Sequence, residues 1–163
     1  MCGDIKQGRE GVYRMMNLRE LYQEVIIDHN KNPRNHYPMR HATHQANGYN
    51  PLCGDKVTVY VNIDNDQVQD LSFVGCGCAI SQASASLMTE AVRGKTIPAA
   101  HALFAQFHQM LTQDDAETSG LGQDKLAVFA GVRTFPARVK CATLAWHTLE
   151  AALKHDAKTV VTE

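Results

Sequence analysis

The sequence predicts an α+β domain with a small antiparallel sheet of about three strands and several helices. Val57, Val59 and Val61 alternate with Thr58 and Tyr60, the period-two pattern of a half-buried strand. Asp64-Asn65-Asp66 then interrupts the pattern with turn-forming residues, and Val68 to Val74 gives a second strand, so the two form a hairpin. Helical periodicity appears on both sides of this segment, at 18–29 and again beyond residue 79.

In the first helix Leu18, Leu21, Tyr22, Val25 and Ile26 share one face. Asn17 with Glu20 supplies a capping box, and Asn32-Pro33-Arg34-Asn35 stops the helix. The stretch to about His44 reads as a loop, and a short strand at Gln45–Tyr49 joins the hairpin. Gly75-Cys76-Gly77 ends the second hairpin strand. A helix follows from Ala79 to Arg93 and stops at Gly94; its Ala and Ser residues permit close packing. Thr96 and Pro98 open the next helix, in which Ala100, Leu103, Phe104, Phe107, Met110 and Leu111 recur at core spacing. Residues 112–123 read as an exposed polar loop. A short helix lies near Lys125–Ala130, and Pro136 opens a last helix that buries Val139, Ala142, Trp146, Leu149 and Leu153. Residues 1–16 read as a disordered tail, 17–155 as one domain and 156–163 as a C-terminal tail.

A hydrophobic fraction of 44%, a charged fraction of 20% and a net charge of −1 describe an ordinary globular chain. The charge balance argues against a general nucleic-acid binder. No apolar run of about 18 residues is present, so no membrane span is expected, and the polar N-terminus lacks the apolar core of a signal peptide. The expected location is the cytoplasm.

Five cysteines occur, at 2, 53, 76, 78 and 141. An odd count in a chain of this length argues against a secreted disulfide framework. Cys53, Cys78 and Cys141 each lie beside a backbone breaker or at the start of a helix. Gly54 lets Cys53 and Asp55 aim at one point. Cys78 immediately precedes its helix, and Cys141 falls in the first turn of the last one, where unpaired N–H groups favour a thiolate. Three sulfurs and a carboxylate make a tetrahedral donor set for Zn2+. The bland reading stands beside this one: a lone cysteine is often a small buried hydrophobe, and an Asp after Gly is often a turn residue. A dication with four anionic ligands is left negative, and Arg138 and Lys140 flank Cys141 to offset that charge. His29, His36, His41 and His44 offer either a second metal site or solvent-facing loop histidines, and their spacing matches no zinc signature. Cys2 reads as an exposed, incidental thiol of the tail.

Four segments carry a family resemblance: His29-Asn30-Lys31-Asn32-Pro33-Arg34-Asn35, NPLCGD at 50–55, Gly77-Cys78-Ala79-Ile80-Ser81 with Ala83-Ser84-Ala85-Ser86, and FPARVKCATLAW at 135–146. From about Leu18 to Leu153 the chain resembles the SufU-type members of the IscU/NifU iron–sulfur cluster assembly family. The resemblance implies a helix-covered antiparallel sheet, with Cys53, Asp55, Cys78 and Cys141 as metal ligands. It implies a zinc-dependent sulfur acceptor that takes persulfide sulfur on Cys141 from a cysteine desulfurase of the SufS type, with Arg138 and Lys140 in support. On this reading the protein is a sulfurtransferase that works with its partner rather than a stand-alone enzyme, with downstream scaffolds or apo-proteins as candidate further partners. IscU-like scaffolds carry His directly before the last cysteine, where this chain has Lys140. The residues 79–140 between the second and third cysteines form a long spacer of the SufU kind.

The alternative is a scaffold that binds iron and builds a [2Fe–2S] cluster on the same thiolates. A purely structural zinc site and a Cys76-Gly77-Cys78 dithiol are further readings. Cys76 departs from the family pattern and is a spare ligand, a resolving thiol or an incidental residue.

Overall fold

The computed structural model describes residues 18–113, 125–155 and 158–162. The expectations for the N-terminal tail, Cys2, the Asn17 cap and most of the 112–123 loop lie outside those residues. The sheet is built on the hairpin of β2 (Asp55–Asp64) and β3 (Gln67–Cys76). Asn65 and Asp66 make its two-residue turn with φ of 52° and 61°. That left-handed pair matches the twist of the flanking strands, and Asn and Asp tolerate it. β1 (His44–Asn50) pairs antiparallel with β2 along its whole length, from His44 opposite Val61 to Asn50 opposite Asp55.

A fourth strand, β4 (Val160–Val161), pairs parallel with β1, giving the order β3-β2-β1-β4. The sheet is therefore mixed and has four strands where the sequence suggests about three. A two-residue strand is too short to show alternation. Its backbone makes it a strand, with Thr162 N–H donating to Tyr49 O at 3.0 Å.

The helices are α1 (Leu18–Lys31), α2 (Ala79–Val92), α3 (Ile97–Thr112) and α4 (Pro136–Leu153), with a 3₁₀ helix at Leu126–Val132. α4 packs on β1 and β2, and α2 packs on β3, α1 and α4. Val57, Val59 and Val61 are buried, as their alternation predicts. A Cβ on Gly48 would collide with the Thr148 hydroxyl, so its absence lets α4 lie close over β1. Trp146 of α4 stacks on Phe107 of α3 at 4.7 Å, and Phe107 meets Phe129 edge-on at 5.8 Å. The aromatic residues of α3 thus serve the core. The Trp146 indole N–H donates to Ser84 Oγ at 3.1 Å, and Ser84 Oγ in turn donates to Ala142 O. The small polar residues of α2 therefore join α4 without leaving buried polar atoms unmet.

α1 is tied to α2 by His29, which is fully buried. Its Nδ1 lies 2.7 Å from Ser86 Oγ, which also accepts from the Arg34 N–H at 2.8 Å. The solvent-facing expectation therefore fails for His29, because the last turn of α1 rests on α2. His36 packs on Phe73 at 4.9 Å and His44 on His155 at 3.8 Å, while His41 is exposed. Burial, with Arg34 and Lys125 nearby, lowers the His29 pKa to about 3. Below pH 6.5 the unfolded chain takes up a proton that the folded chain refuses, so stability rises with pH across that window. Denaturant titrations from pH 7.5 down to pH 5 should show a loss of about 1.4 kcal/mol per pH unit below 6.5 that His29→Gln removes. Parallel pH slopes for the two proteins would show that His29 is not the cause.

Candidate metal centre

Cys53 sits in the turn between β1 and β2, where Gly54 adopts φ of 70° with open space around it. That backbone conformation favours glycine and directs the chain so that Asp55 opens β2. Asp55 is fully buried and Cys53 exposed. Cys78 follows the end of β3, which lies beside the start of β2 with Cys76 opposite Lys56, and it is the N-cap of α2; its sulfur accepts from the Ser81 N–H at 3.5 Å. Cys141 enters from α4, with 2% exposure. The side chains of Cys53, Asp55 and Cys141 offer ligand atoms all within 4.8 Å of one another. Among the described residues this is the sole group of three or more His, Cys, Asp or Glu side chains with such geometry. Cys78 lies outside that tightest triad but borders it, with its sulfur 3.9 Å from Asp55 Oδ2. The sulfurs of Cys141 and Cys53 are 3.1 Å apart. The four side chains named from the sequence therefore converge.

The carboxylate of Asp55 is held on both sides. Its Oδ1 accepts from the Cys78 N–H at 2.8 Å, and its Oδ2 from Asn50 Nδ2 at 3.2 Å. A Cβ on Gly77 would press on Asp55 Oδ1 and its carbons, so the glycine leaves the carboxyl group its space. No lysine or arginine pairs with Asp55 among the described residues. A buried carboxylate with three sulfurs around it and no cationic side chain fits a bound cation, and the donor set of three sulfurs and one oxygen fits Zn2+.

The thiols are electrostatically unequal. A hydrogen bond from Cys141, together with the Ser81 N–H, outweighs burial and lowers the Cys78 thiol to about 7. The same hydrogen bond to Cys78, then burial and the Cys53 thiol, pushes Cys141 up. The protein alone thus favours a proton kept on Cys141 and a thiolate at Cys78. The sequence reading placed Cys141 in the opening turn of its helix. α4 starts at Pro136, so Cys141 lies in the second turn, beyond the unpaired N–H groups of the helix end.

Arg138 is exposed and lies over the Phe135 ring at 4.4 Å; Lys140 is half-buried. Neither side chain forms an ion pair or hydrogen bond with the cysteines among the described residues. Cys76 is exposed at the end of β3 and held in a disulfide, while Cys53, Cys78 and Cys141 are free. The Cys76-Gly77-Cys78 segment is therefore not a closed dithiol pair. Asn50, which contacts both Asp55 and Cys141, is the residue of this cluster that the sequence does not single out. It stands in NPLCGD, but a polar residue before proline reads as a turn former, and its burial is visible only in the fold.

An α+β sheet with three thiols and a carboxylate gathered at one end defines a class of cysteine-based metal or sulfur-handling proteins. The chain belongs to the NifU-like N-terminal domain family, which it matches over residues 21–160. It is 42% identical over 134 residues to the zinc-dependent sulfurtransferase SufU of Bacillus subtilis, covering 82% of this chain and 90% of that one. It is 40% identical over 144 residues to the iron–sulfur cluster assembly scaffold protein IscU of Streptococcus pyogenes, covering 88% and 89%. The crystal structure of a candidate SUF-system scaffold protein from Fervidobacterium islandicum superposes with a TM-score of 0.76 at 38% identity, over 83% of this chain and 98% of that one.

Proposed function

We propose that the protein acts in iron–sulfur cluster assembly as a zinc-dependent sulfur acceptor, with Cys53, Asp55, Cys78 and Cys141 holding the ion. The observation that carries this reading is the convergence of three free thiols and one unpaired buried carboxylate. A bound Zn2+ would keep the thiols deprotonated at neutral pH, against the tendency of Cys141 to hold its proton. The sulfur donor is a cysteine desulfurase of the SufS type, acting in the cytoplasm. In the transfer, the Cys141 thiolate attacks the outer sulfur of the desulfurase persulfide. A new S–S bond forms on Cys141, the partner's S–S bond breaks, and the partner leaves as a thiolate. Leu52, next to Cys53 in the chain, and Phe135, just before α4, are exposed apolar side chains on which such a partner can rest. Arg138, held over Phe135, supports docking rather than chemistry.

The scaffold reading has one observation in its favour, the thiolate-rich donor set, which suits iron as well as zinc. Lys140 cannot serve as a neutral ligand as a histidine there would. Incubating the zinc-loaded protein with a cysteine desulfurase, cysteine and ferrous iron separates the two. The sulfurtransferase reading expects colourless protein that gains the mass of one sulfur atom and stimulates the desulfurase. Brown protein that holds iron and sulfide, with no persulfide on the chain, would favour the scaffold instead.

A further inference from the structure

Asn50 is fully buried at the end of β1, and its carboxamide is used completely. Its Oδ1 accepts from the Leu52 N–H at 3.2 Å, which shapes the turn that carries Cys53. That bond also settles the orientation of the amide, because only oxygen can accept there. The NH2 group must then face the centre. It donates to Asp55 Oδ2 at 3.2 Å and to Cys141 Sγ at 3.4 Å. One side chain therefore touches or shapes three of the four donors, which come from the β1–β2 turn, the start of β2 and α4.

We propose that Asn50 is the positioning residue of this centre: its two N–H groups bridge Asp55 to Cys141 and its carbonyl sets the Cys53 turn. The inference rests on reading the four side chains as an ion site. Groups that orient metal ligands by hydrogen bonding have large effects on affinity although they do not touch the ion. The bridge is well placed for this role. The Asp55 carboxylate cannot rotate without breaking a bond to Asn50 or to the Cys78 N–H. The Cys141 sulfur, which lies beyond the reach of the helix-end donors, receives an N–H from Asn50 instead. That donor remains beside the sulfur whether or not Cys141 is bound to the ion, so the thiolate is not left bare when it is released.

Two variants of the full chain separate the parts of this role. Asn50→Leu removes the donors and the acceptor. Asn50→Asp keeps the shape and the acceptor for Leu52 but removes both donors. Chelator competition with Zn2+ should show an affinity loss of about 10–100-fold in both. The visible bands of bound Co2+ should change in both, while the metal-free variants keep the wild-type circular dichroism and a cooperative melt. Unchanged or tighter zinc binding by either folded variant overturns the proposal. If the leucine variant does not fold, the isosteric aspartate variant decides. The Asn50 NH2 resonances of the wild type give a readout that needs no substitution: they should shift on zinc addition, and indifference to zinc would overturn the proposal too. Wild-type protein that binds no zinc sinks the ion site itself. Normal wild-type binding with unaltered variants sinks only the role of Asn50.

Discussion

Cys141→Ser is expected to abolish sulfur uptake from a cysteine desulfurase, with no persulfide mass on the chain and no stimulation of the partner. A serine oxygen cannot form the S–S bond, so the loss is complete rather than graded. The competing acceptor is Cys53, which is exposed while Cys141 is 2% exposed. Access alone would favour Cys53. Two features favour Cys141. Its sulfur keeps the Asn50 donor, and it lies 3.1 Å from Cys53, so a partner that reaches the turn at Cys53 has reached it also. Cys53→Ser should therefore weaken ion binding yet leave a measurable persulfide on Cys141. The measurement is intact mass with peptide mapping after a short incubation with the desulfurase and cysteine. Persulfide on the Cys141→Ser protein, or its absence from Cys53→Ser alone, would move the acceptor role to Cys53.

What the sequence made legible follows from the range of the physics. Alternation at Val57, Val59 and Val61 is a local signal of a one-sided sheet, and those residues are buried as read. Asp64-Asn65-Asp66 marks a turn because its side chains tolerate left-handed backbone, and the hairpin turns there. Cys78 reads as lying immediately before a helix, and there it caps α2. The centre was legible because distinctive residue types in family motifs mark it, not because spacing alone brings the sulfurs together. The missing parts are set by distant contacts. β4 exists because two residues find the free edge of β1. His29 is buried because α2 covers the last turn of α1, and nothing local in the sequence announces that contact. α4 is buried nearly all round, between the sheet and the other helices, so a one-stripe reading of its wheel understates how enclosed Cys141 is. Asn50 gains its role only where β1, β2 and α4 meet.

Asp55→Asn should lower zinc affinity by roughly 100-fold. A structural zinc site of four ligands binds with about 12 kcal/mol, or about 3 kcal/mol per ligand, and each 1.4 kcal/mol is tenfold. The substitution keeps the volume and an oxygen able to accept the Cys78 N–H, but it turns an NH2 group toward the Asn50 NH2 and so also breaks the bond between those two side chains. It also removes the negative charge of the carboxylate that lies among the sulfurs of Cys53, Cys78 and Cys141, a carboxylate that no lysine or arginine of the described residues pairs with. The stabilisation that zinc gives the folded state depends on the ratio of free ion to dissociation constant, so a 100-fold loss removes about 2.7 kcal/mol of it. The rise in melting temperature on adding zinc, measured against each protein's own metal-free melt, should therefore shrink markedly in Asp55→Asn. Gly77→Val provides a second route to the same end, because its side chain would press directly on Asp55 without changing any ligand. A zinc-induced thermal shift of wild-type size in both variants would mean that Asp55 is a buried structural acid rather than a ligand. The sulfurs would then have to hold the ion with some other fourth donor.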